Sequence, residues 1–228
     1  MKEFYGRPQY QLCWHQVAQP LLVGLGPPHQ LRGPGAPGLR VRLGRGGLEN
    51  HRGPLLNVSN RYGAWHYGGQ KMLAINNVEL ISDRPLEVNL REIRDVKRHW
   101  PDRAVIVSAM VESTPEAWRD IILKIEDTGA DGIELNYGCP HGMSERGMGS
   151  AVGQVPEYCQ QITRWVMDVA KIPVIVKLTP NVASVVPPAR AALAAGANGL
   201  SLINTINSII GIDLDTLEIT PSIGGKGG

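Results

Sequence analysis

The chain has few of the residues that would place it quickly in a class. Only 3 of its 228 residues are cysteine, namely Cys13, Cys139 and Cys159. They form neither a CxxC pair nor an even-numbered set. That argues against a disulfide framework, a metal site or an iron–sulfur cluster, and fits a reducing compartment. Long apolar runs are missing too. No stretch approaches the ~20 residues of a membrane span, and the N-terminus lacks the apolar core of a secretory signal. Charge of one sign is not in excess, since the net charge is +2. No Lys/Arg run is interleaved with aromatics, so nucleic acid is not implied as a partner. There is no Gly-x-Gly-x-x-Gly fingerprint for a dinucleotide. These absences leave a soluble, cytoplasmic protein that binds neither membrane nor nucleic acid.

What is present is unevenly distributed. Pro20 to Gly53 is crowded with Gly, Pro and Arg, as in Gly33-Pro34-Gly35-Ala36-Pro37-Gly38. It reads as having no period of two or of 3.6, so residues 1–52 are expected to be an aberrant or disordered segment. From about Leu55 the pattern becomes regular, and residues 53–228 are expected to form the domain. Pro85 to Trp100 suits an amphipathic helix, with Leu86, Val88, Leu90, Ile93, Val96 and Trp100 as its apolar positions. Ala104 to Met110 reads as a strand. Thr114 caps a helix that runs to about Thr128, and Gly129 stops it. Gly132 to Leu135 is a strand ending at Asn136, and a Gly-rich loop follows to about Val155. Further helices are expected from Pro156 to Ala170 and from Pro187 to Ala195, with strands at Pro173–Lys177 and Gly199–Ile203. Strands alternating with helices signify a parallel sheet covered by helices.

That alternation does not by itself separate an open doubly wound sheet from a (β/α)8 barrel. Polar residues at successive strand ends favour the barrel, whose chemistry sits at the C-terminal ends of its strands. Those residues are Ser108, Asn136, Lys177 with Thr179, and Asn204 with Thr205. A single Asn or Thr in such a place more often caps a helix or turns a loop, but a series of them points to a shared pocket. Asn offers donors and an acceptor, which suits a ring with alternating carbonyl and N–H groups. Lys177 lies inside Val174-Ile175-Val176-Lys177-Leu178, where a cation is costly unless it meets an anion or an electron-rich group. Cys139 follows a strand end, and its ordinary pKa of about 8.5 suits a proton donor or a nucleophile.

The run from Asn136-Tyr137-Gly138-Cys139-Pro140-His141-Gly142-Met143 to Ser144-Glu145-Arg146-Gly147-Met148-Gly149 resembles the catalytic loop of dihydropyrimidine dehydrogenases. The bacterial NAD-dependent type, in its FMN-containing subunit, is the best match. Val176 to Asn181, Ile203 to Ser208 and Asn77 to Ser82 resemble further blocks of that family, in the same order. Dihydroorotate dehydrogenases share only the shorter Asn-x-x-Cys-Pro pattern. The resemblance covers about Leu55 to Gly228. It implies an incomplete (β/α)8 TIM barrel of the FMN-dependent dihydroorotate/dihydropyrimidine dehydrogenase type. It also implies reduction of uracil or thymine, with hydride reaching C6 from the flavin and a proton reaching C5 from Cys139. Asn77, Glu79, Asn136, Asn204 and Thr205 map onto the family's pyrimidine-binding set, and Lys177 and Ser108 onto its flavin contacts. Gly142 to Gly153 is expected to be a lid over the site.

The resemblance also sets expectations for partners. Electrons would come from NADH through a separate FAD flavoprotein subunit, and through iron–sulfur clusters on a partner or C-terminal segment. The intact form would be an oligomer. The chain is expected to stop after the sixth strand of such a barrel, short of the strands that help bind the FMN phosphate. Residues 1 to about 52 fit the family only when read one base later with plausible codons. Tyr5 to Gln16 then becomes Met-Ala-Asp-Leu-Ser-Ile-Asn-Phe-Ala-Gly-Ile-Lys, which is similar to the family's first strand, and a frame shift is the expectation. Two other readings stand beside this one: a dihydroorotate dehydrogenase-type flavin enzyme, and an inactive fragment of a broken gene.

Overall fold

The computed structural model describes residues 39–44, 61–76, 85–140, 147–208, 211–212, 214–217 and 219–220. At its centre is a five-stranded parallel sheet. The strands are β1 (Leu39–Gly44), β4 (Val105–Met110), β5 (Gly132–Tyr137), β6 (Val174–Leu178) and β7 (Gly199–Ser201), side by side in that order. From β4 to β7 each strand pairs with the next one in the chain, with helix between them. Two small antiparallel ribbons stand apart from the sheet. One pairs β2 (Arg61–Tyr67) with β3 (Gln70–Asn76), and the other pairs β8 (Gly211–Ile212) with β9 (Ile219–Thr220).

The helices are α1 (Leu86–His99), α2 (Pro115–Glu126), the single turn α3 (Ser150–Gly153), α4 (Pro156–Met167) and α5 (Val186–Ala194). Local chemistry sets their limits. Thr114 accepts the Ala117 backbone N–H at 3.3 Å and Pro115 occupies the first turn, which starts α2. Gly129, at φ +80°, reverses the chain after it. In α2 the buried residues are Trp118, Ile121, Ile122 and Ile125, and in α4 they are Cys159, Ile162, Thr163 and Val166. Both follow the i, i+3, i+4, i+7 stripe of a helix with one face in the core.

All of these stripes meet the same side of the sheet. The core cluster joins Leu90 and Ile93 of α1, the α2 and α4 stripes, and Ala189 and Ala192 of α5 to Val105, Val107, Ala109, Ile133, Leu135, Tyr137, Val174, Val176 and Leu178. Those strand residues alternate along each strand and are matched across the register, so they share one face. The opposite face carries Ser108, Glu134, Asn136 and Lys177, all buried. A doubly wound sheet places helices on both faces, whereas a barrel places them outside and keeps the other face for its interior. Among the described residues the helices cover one face and the strands run in chain order, which is the layout of a barrel-like sheet. What is described is an open arc of parallel strands.

The segment from 1 to 52, expected to be structureless, needs one correction. Residues 39–44 form β1 and pair in parallel with β4, Leu39 opposite Val105 through Gly44 opposite Met110. Leu39, Val41 and Leu43 alternate with Arg40 and Arg42. That period of two is masked by the Gly and Pro on either side. The rest of that segment lies outside the described residues. The expected α/β elements otherwise stand within a few residues of their limits; the helix expected to reach Ala170, for example, ends at Met167.

Candidate functional site

The site begins with the polar face of the sheet. Asn136 of β5 is in register with Lys177 of β6, and Lys177 with Ser201 of β7. In parallel strands, residues in register project to the same side, so Asn136 and Lys177 are neighbours on the face opposite the described helices. Both are buried, Asn136 at 7% exposure and Lys177 at 5%. One layer deeper, Ser108 of β4 is in register with Glu134 of β5, and its Oγ donates to Glu134 Oε1 at 2.7 Å. With its proton directed at Glu134, the Ser108 hydroxyl presents acceptor lone pairs to anything else it meets.

Beyond the strand ends, two carboxamides form a rigid pair. Asn136 Oδ1 accepts from the Gly138 backbone N–H at 3.2 Å and from Asn204 Nδ2 at 2.8 Å. Asn204 Oδ1 accepts from the Thr205 backbone N–H at 2.7 Å and the Thr205 hydroxyl at 3.3 Å. The Asn204 backbone N–H donates to the Leu178 carbonyl at 3.0 Å, tying this loop to the end of β6. Both carbonyl oxygens of the pair are thereby engaged twice. What the pair retains for a ligand is N–H: Asn136 Nδ2 and the second Asn204 Nδ2 hydrogen. Gly138 makes the approach possible, because a Cβ there would lie 2.5 Å from Asn204 Cβ.

Cys139 follows immediately and is buried at 7% exposure. It packs with Met110 and Met148 in a small sulfur-rich cluster. Its carbonyl accepts the Ser150 backbone N–H at 3.0 Å, so α3 closes directly onto it. Gly149 sits at φ +58°, ψ −121° against that carbonyl. Residues 147–153 of the segment expected to be a lid, Gly142 to Gly153, are packed down here. Met148, Ser150, Val152 and Gly153 are buried, and Ser113 Oγ donates to the Gly147 carbonyl at 2.6 Å. Residues 141–146 lie outside the described residues, as do Asn77 and Glu79.

The other buried thiol behaves differently. Cys159 lies in α4 with its Sγ donating to the Val152 carbonyl at 3.2 Å. Burial, and secondarily Glu157, pushes it from an ordinary 9.0 up to about 12. Burial likewise pushes the Tyr137 phenol well above its usual range, partly offset by the Thr163 hydroxyl at 3.3 Å. Both stay neutral on the apolar side of the sheet, away from the polar face.

Asn136, Lys177, Asn204 and Thr205 thus lie together at the C-terminal ends of β5, β6 and β7, with Cys139 on the loop after β5 and Ser108 one layer below. Sequence reasoning did not single out Glu134. Its signal was available, since a carboxylate inside Gly132-Ile133-Glu134-Leu135 is as anomalous as Lys177 in its own apolar strand. Asn181 was also passed over, because an Asn after Pro180 reads as an ordinary turn. The donor set fits a flavin ring. The buried Lys177, with Ser108 on the same face of the sheet, suits a planar ring with carbonyl oxygens that gathers negative charge on reduction. Among the described residues no group of His, Cys, Asp or Glu could hold a metal ion, and no helix is long and apolar enough to cross a membrane.

Residues 57–228 match the family model described as dihydroorotate dehydrogenase. The chloroplastic dihydropyrimidine dehydrogenase (NADP(+)) of Arabidopsis thaliana is 42% identical over 176 residues, covering 75% of this chain and 41% of that protein. The NAD-dependent dihydropyrimidine dehydrogenase subunit PreA of Escherichia coli (strain K12) is 38% identical over 154 residues, 68% of this chain and 37% of its own. The catalytic subunit of dihydroorotate dehydrogenase B (NAD(+)) of Alkaliphilus metalliredigens is 39% identical over 116 residues, 51% of this chain and 36% of its own. The chain thus spans about two fifths of the length of these two dihydropyrimidine dehydrogenase relatives. Among solved structures, the carboxyl transferase domain from Rhizobium etli pyruvate carboxylase overlays at a TM-score of 0.38 with 11% identity, covering 51% of this chain and 19% of that one. That likeness is too distant to carry an argument.

Proposed function

This chain belongs to the dihydroorotate dehydrogenase family, a family of oxidoreductases, and we propose that its site reduces the 5,6 double bond of uracil or thymine with FMN as cofactor. The observation that carries this reading is the hydrogen-bonded Asn136–Asn204 pair, on the strand end that leads directly into Cys139. FMN, held by Lys177 and Ser108, would supply the hydride chemistry, directed at C6 of the pyrimidine. The chain's own residues handle the charge and the proton. Hydride addition builds negative charge at C5 and O4. The N–H groups left on Asn136 and Asn204 donate to the ring carbonyls, and they strengthen as that charge develops. Cys139 Sγ holds the proton that ends on C5, and the packing of Met110 and Met148 keeps water from it. Thr205 Oγ1, its proton committed to Asn204, accepts from a ring N–H. Asn77 and Glu79 complete the substrate set in this reading. Lys177 holds its positive charge against the flavin ring, and Ser108 contributes an acceptor below it. In this reading the electrons come from NADH through a flavoprotein partner and iron–sulfur clusters; the bacterial relative's name, an NAD-dependent subunit, supports the first of these.

A second reading, oxidation or reduction at the same bond of dihydroorotate or orotate, is favoured by the description of the matching family and by its B-type relative. One experiment separates them. The purified chain is saturated with chemically reduced FMN under anaerobic conditions, and flavin reoxidation is followed after adding uracil, thymine or orotate. Reoxidation by uracil or thymine supports the proposal, and Cys139→Ser should slow it by about 10²- to 10⁴-fold. Reoxidation by orotate alone selects the second reading. Flavin fluorescence quenched by the chain, with no pyrimidine reoxidising it, overturns both for this chain.

A further inference from the structure

Asn181 is a junction of hydrogen bonds that the functional reading leaves unused. It lies just past β6, after Thr179 and Pro180. Its backbone N–H and its Nδ2 both donate to Thr179 Oγ1 at 3.2 Å. The same Nδ2 donates to the Thr205 carbonyl at 2.9 Å. Its Oδ1 accepts the Asn207 backbone N–H at 2.8 Å. On its other side, Gln154 Nε2, at the end of α3, reaches its carbonyl at 3.4 Å. One side chain therefore spans the end of β6 and the backbone on either side of Ile206, while its main chain meets the helix that follows Cys139.

This placement has a mechanical consequence. The loop after β7 is the least protected part of the site, with Leu202, Ile203 and Ile206 exposed by 59%, 46% and 59%. Apolar burial does not hold it. Its position depends on hydrogen bonds, and Asn181 makes those that flank the Asn204–Thr205 dipeptide on its C-terminal side. Thr179, fully buried, anchors Asn181 in turn. A short polar side chain with a donor at one end and an acceptor at the other suits this task, because one residue satisfies both a carbonyl and an N–H of the same loop.

We infer that Asn181 is a positioning residue. It fixes the loop carrying Asn204 and Thr205 at the distance from Asn136 at which the carboxamide pair can grip a pyrimidine-like ring. The role rests on the proposed function only in what the loop grips; the holding of the loop stands on the geometry alone. Asn181 touches no reacting atom. Its contribution is to the geometry of binding, so its loss falls on substrate affinity and spares the chemistry at Cys139.

The test uses the full chain and two substitutions. Asn181→Ala removes both functions of the side chain. Asn181→Asp keeps the acceptor for the Asn207 N–H and loses the donor to the Thr205 carbonyl. Amide hydrogen exchange at Asn207 is read beside exchange at Ile133 and Leu135 in β5, and uracil binding is titrated by calorimetry. Asn181→Ala should raise exchange at Asn207 by at least about tenfold, leave the β5 amides unchanged, and weaken uracil binding by about tenfold. Asn181→Asp should restore protection at Asn207 while leaving uracil binding weak. Where turnover is measurable, KM should rise with kcat within about twofold. Unchanged exchange at Asn207 in Asn181→Ala overturns the positioning role. Raised exchange with unchanged uracil affinity overturns its link to the site. If the unsubstituted chain binds orotate and not uracil, the pyrimidine reading is the part that fails, and the same pair of variants is scored with orotate.

Discussion

The two described cysteines show how position in the fold, rather than residue type, sets chemistry. Cys139 was legible in the sequence because it follows a strand end and sits among Asn, Gly and Pro. Cys159 carries no such signal, and the structure explains why: it fills the apolar stripe of α4 beneath Val152. Its thiol, raised from 9.0 to about 12, makes a specific prediction. A group held neutral by burial contributes stability that is complete below its unfolded value and is lost as pH rises toward its folded one. The unfolded chain ionises Cys159 first, so stability should fall between pH 9 and about 12. At ~1.4 kcal/mol per pH unit, the ceiling on this loss is about 4 kcal/mol. Tyr137 is shifted the same way and adds to the decline at still higher pH. Urea midpoints measured from pH 8 to 11 should drop less steeply in Cys159→Ala than in the unsubstituted chain. Parallel slopes would refute the assignment.

Among the secondary-structure elements, the turn α3 and the glycines before it define how the loop after β5 closes on Cys139. Gly149 has a left-handed φ of +58°, and a Cβ there would meet the Cys139 carbonyl at 2.6 Å and Met110 Sδ at 3.0 Å. Gly147 has φ +70° and open space where its Cβ would be. The pair makes a controlled comparison. Gly147→Ala should cost about 1–2 kcal/mol, from backbone strain alone. Gly149→Ala adds the clash, should cost about 1–3 kcal/mol more, and should change the alkylation rate of Cys139. Denaturant titration and thiol labelling of the two variants check both halves.

Elements of this kind were unequally visible beforehand. Helices with a Thr cap, an N-terminal Pro and a four-point apolar stripe announced themselves, and so did the apolar strands of the sheet. The turn α3 did not, because a helix of 4 residues is too short for any period to emerge. The β2–β3 ribbon was missed although Gly68 and Gly69, at φ +57° and +77°, supply the turn that two-residue hairpins favour. At the site, strand-end Asn and Lys residues were legible because polar groups in apolar strands are costly. The commitments of their hydrogen bonds were not. That Asn136 and Asn204 spend their oxygens on each other and on Gly138 and Thr205 depends on register and on the close approach at Gly138, neither of which sequence spacing displays.

At the scale of the molecule, the one-sided sheet leaves two kinds of surface to consider. Strands β1 and β7 are the edges of the described sheet, and edges of parallel strands offer unpaired backbone groups to a neighbour. Beside β7 lie Leu202, Ile203 and Ile206, with Leu214 and Leu217 exposed by 85% and 75% farther along. Apolar side chains next to an edge strand favour association. The purified chain should therefore self-associate with rising concentration in sedimentation velocity. Leu202→Lys with Ile206→Lys should shift it toward the monomer and leave its melting temperature within a few degrees. A chain that stays monomeric at ~100 μM, well inside the range where exposed edges cause aggregation, would show that this edge is already covered.

The run of neighbours β4, β5, β6 and β7 has one further consequence, for the birth of the protein rather than its finished form. Each of β5, β6 and β7 pairs with the strand just before it, across one or two helices and their connections. Contacts that are short in sequence form early and need little chain to have emerged. As synthesis proceeds from the N-terminus, each strand and helix can dock onto the unit just completed, so the sheet grows in the direction of translation. The pairing of β1 with β4 is the exception, because a hairpin and α1 intervene. It sets the starting edge, and every strand after β4 adds to a template already in place.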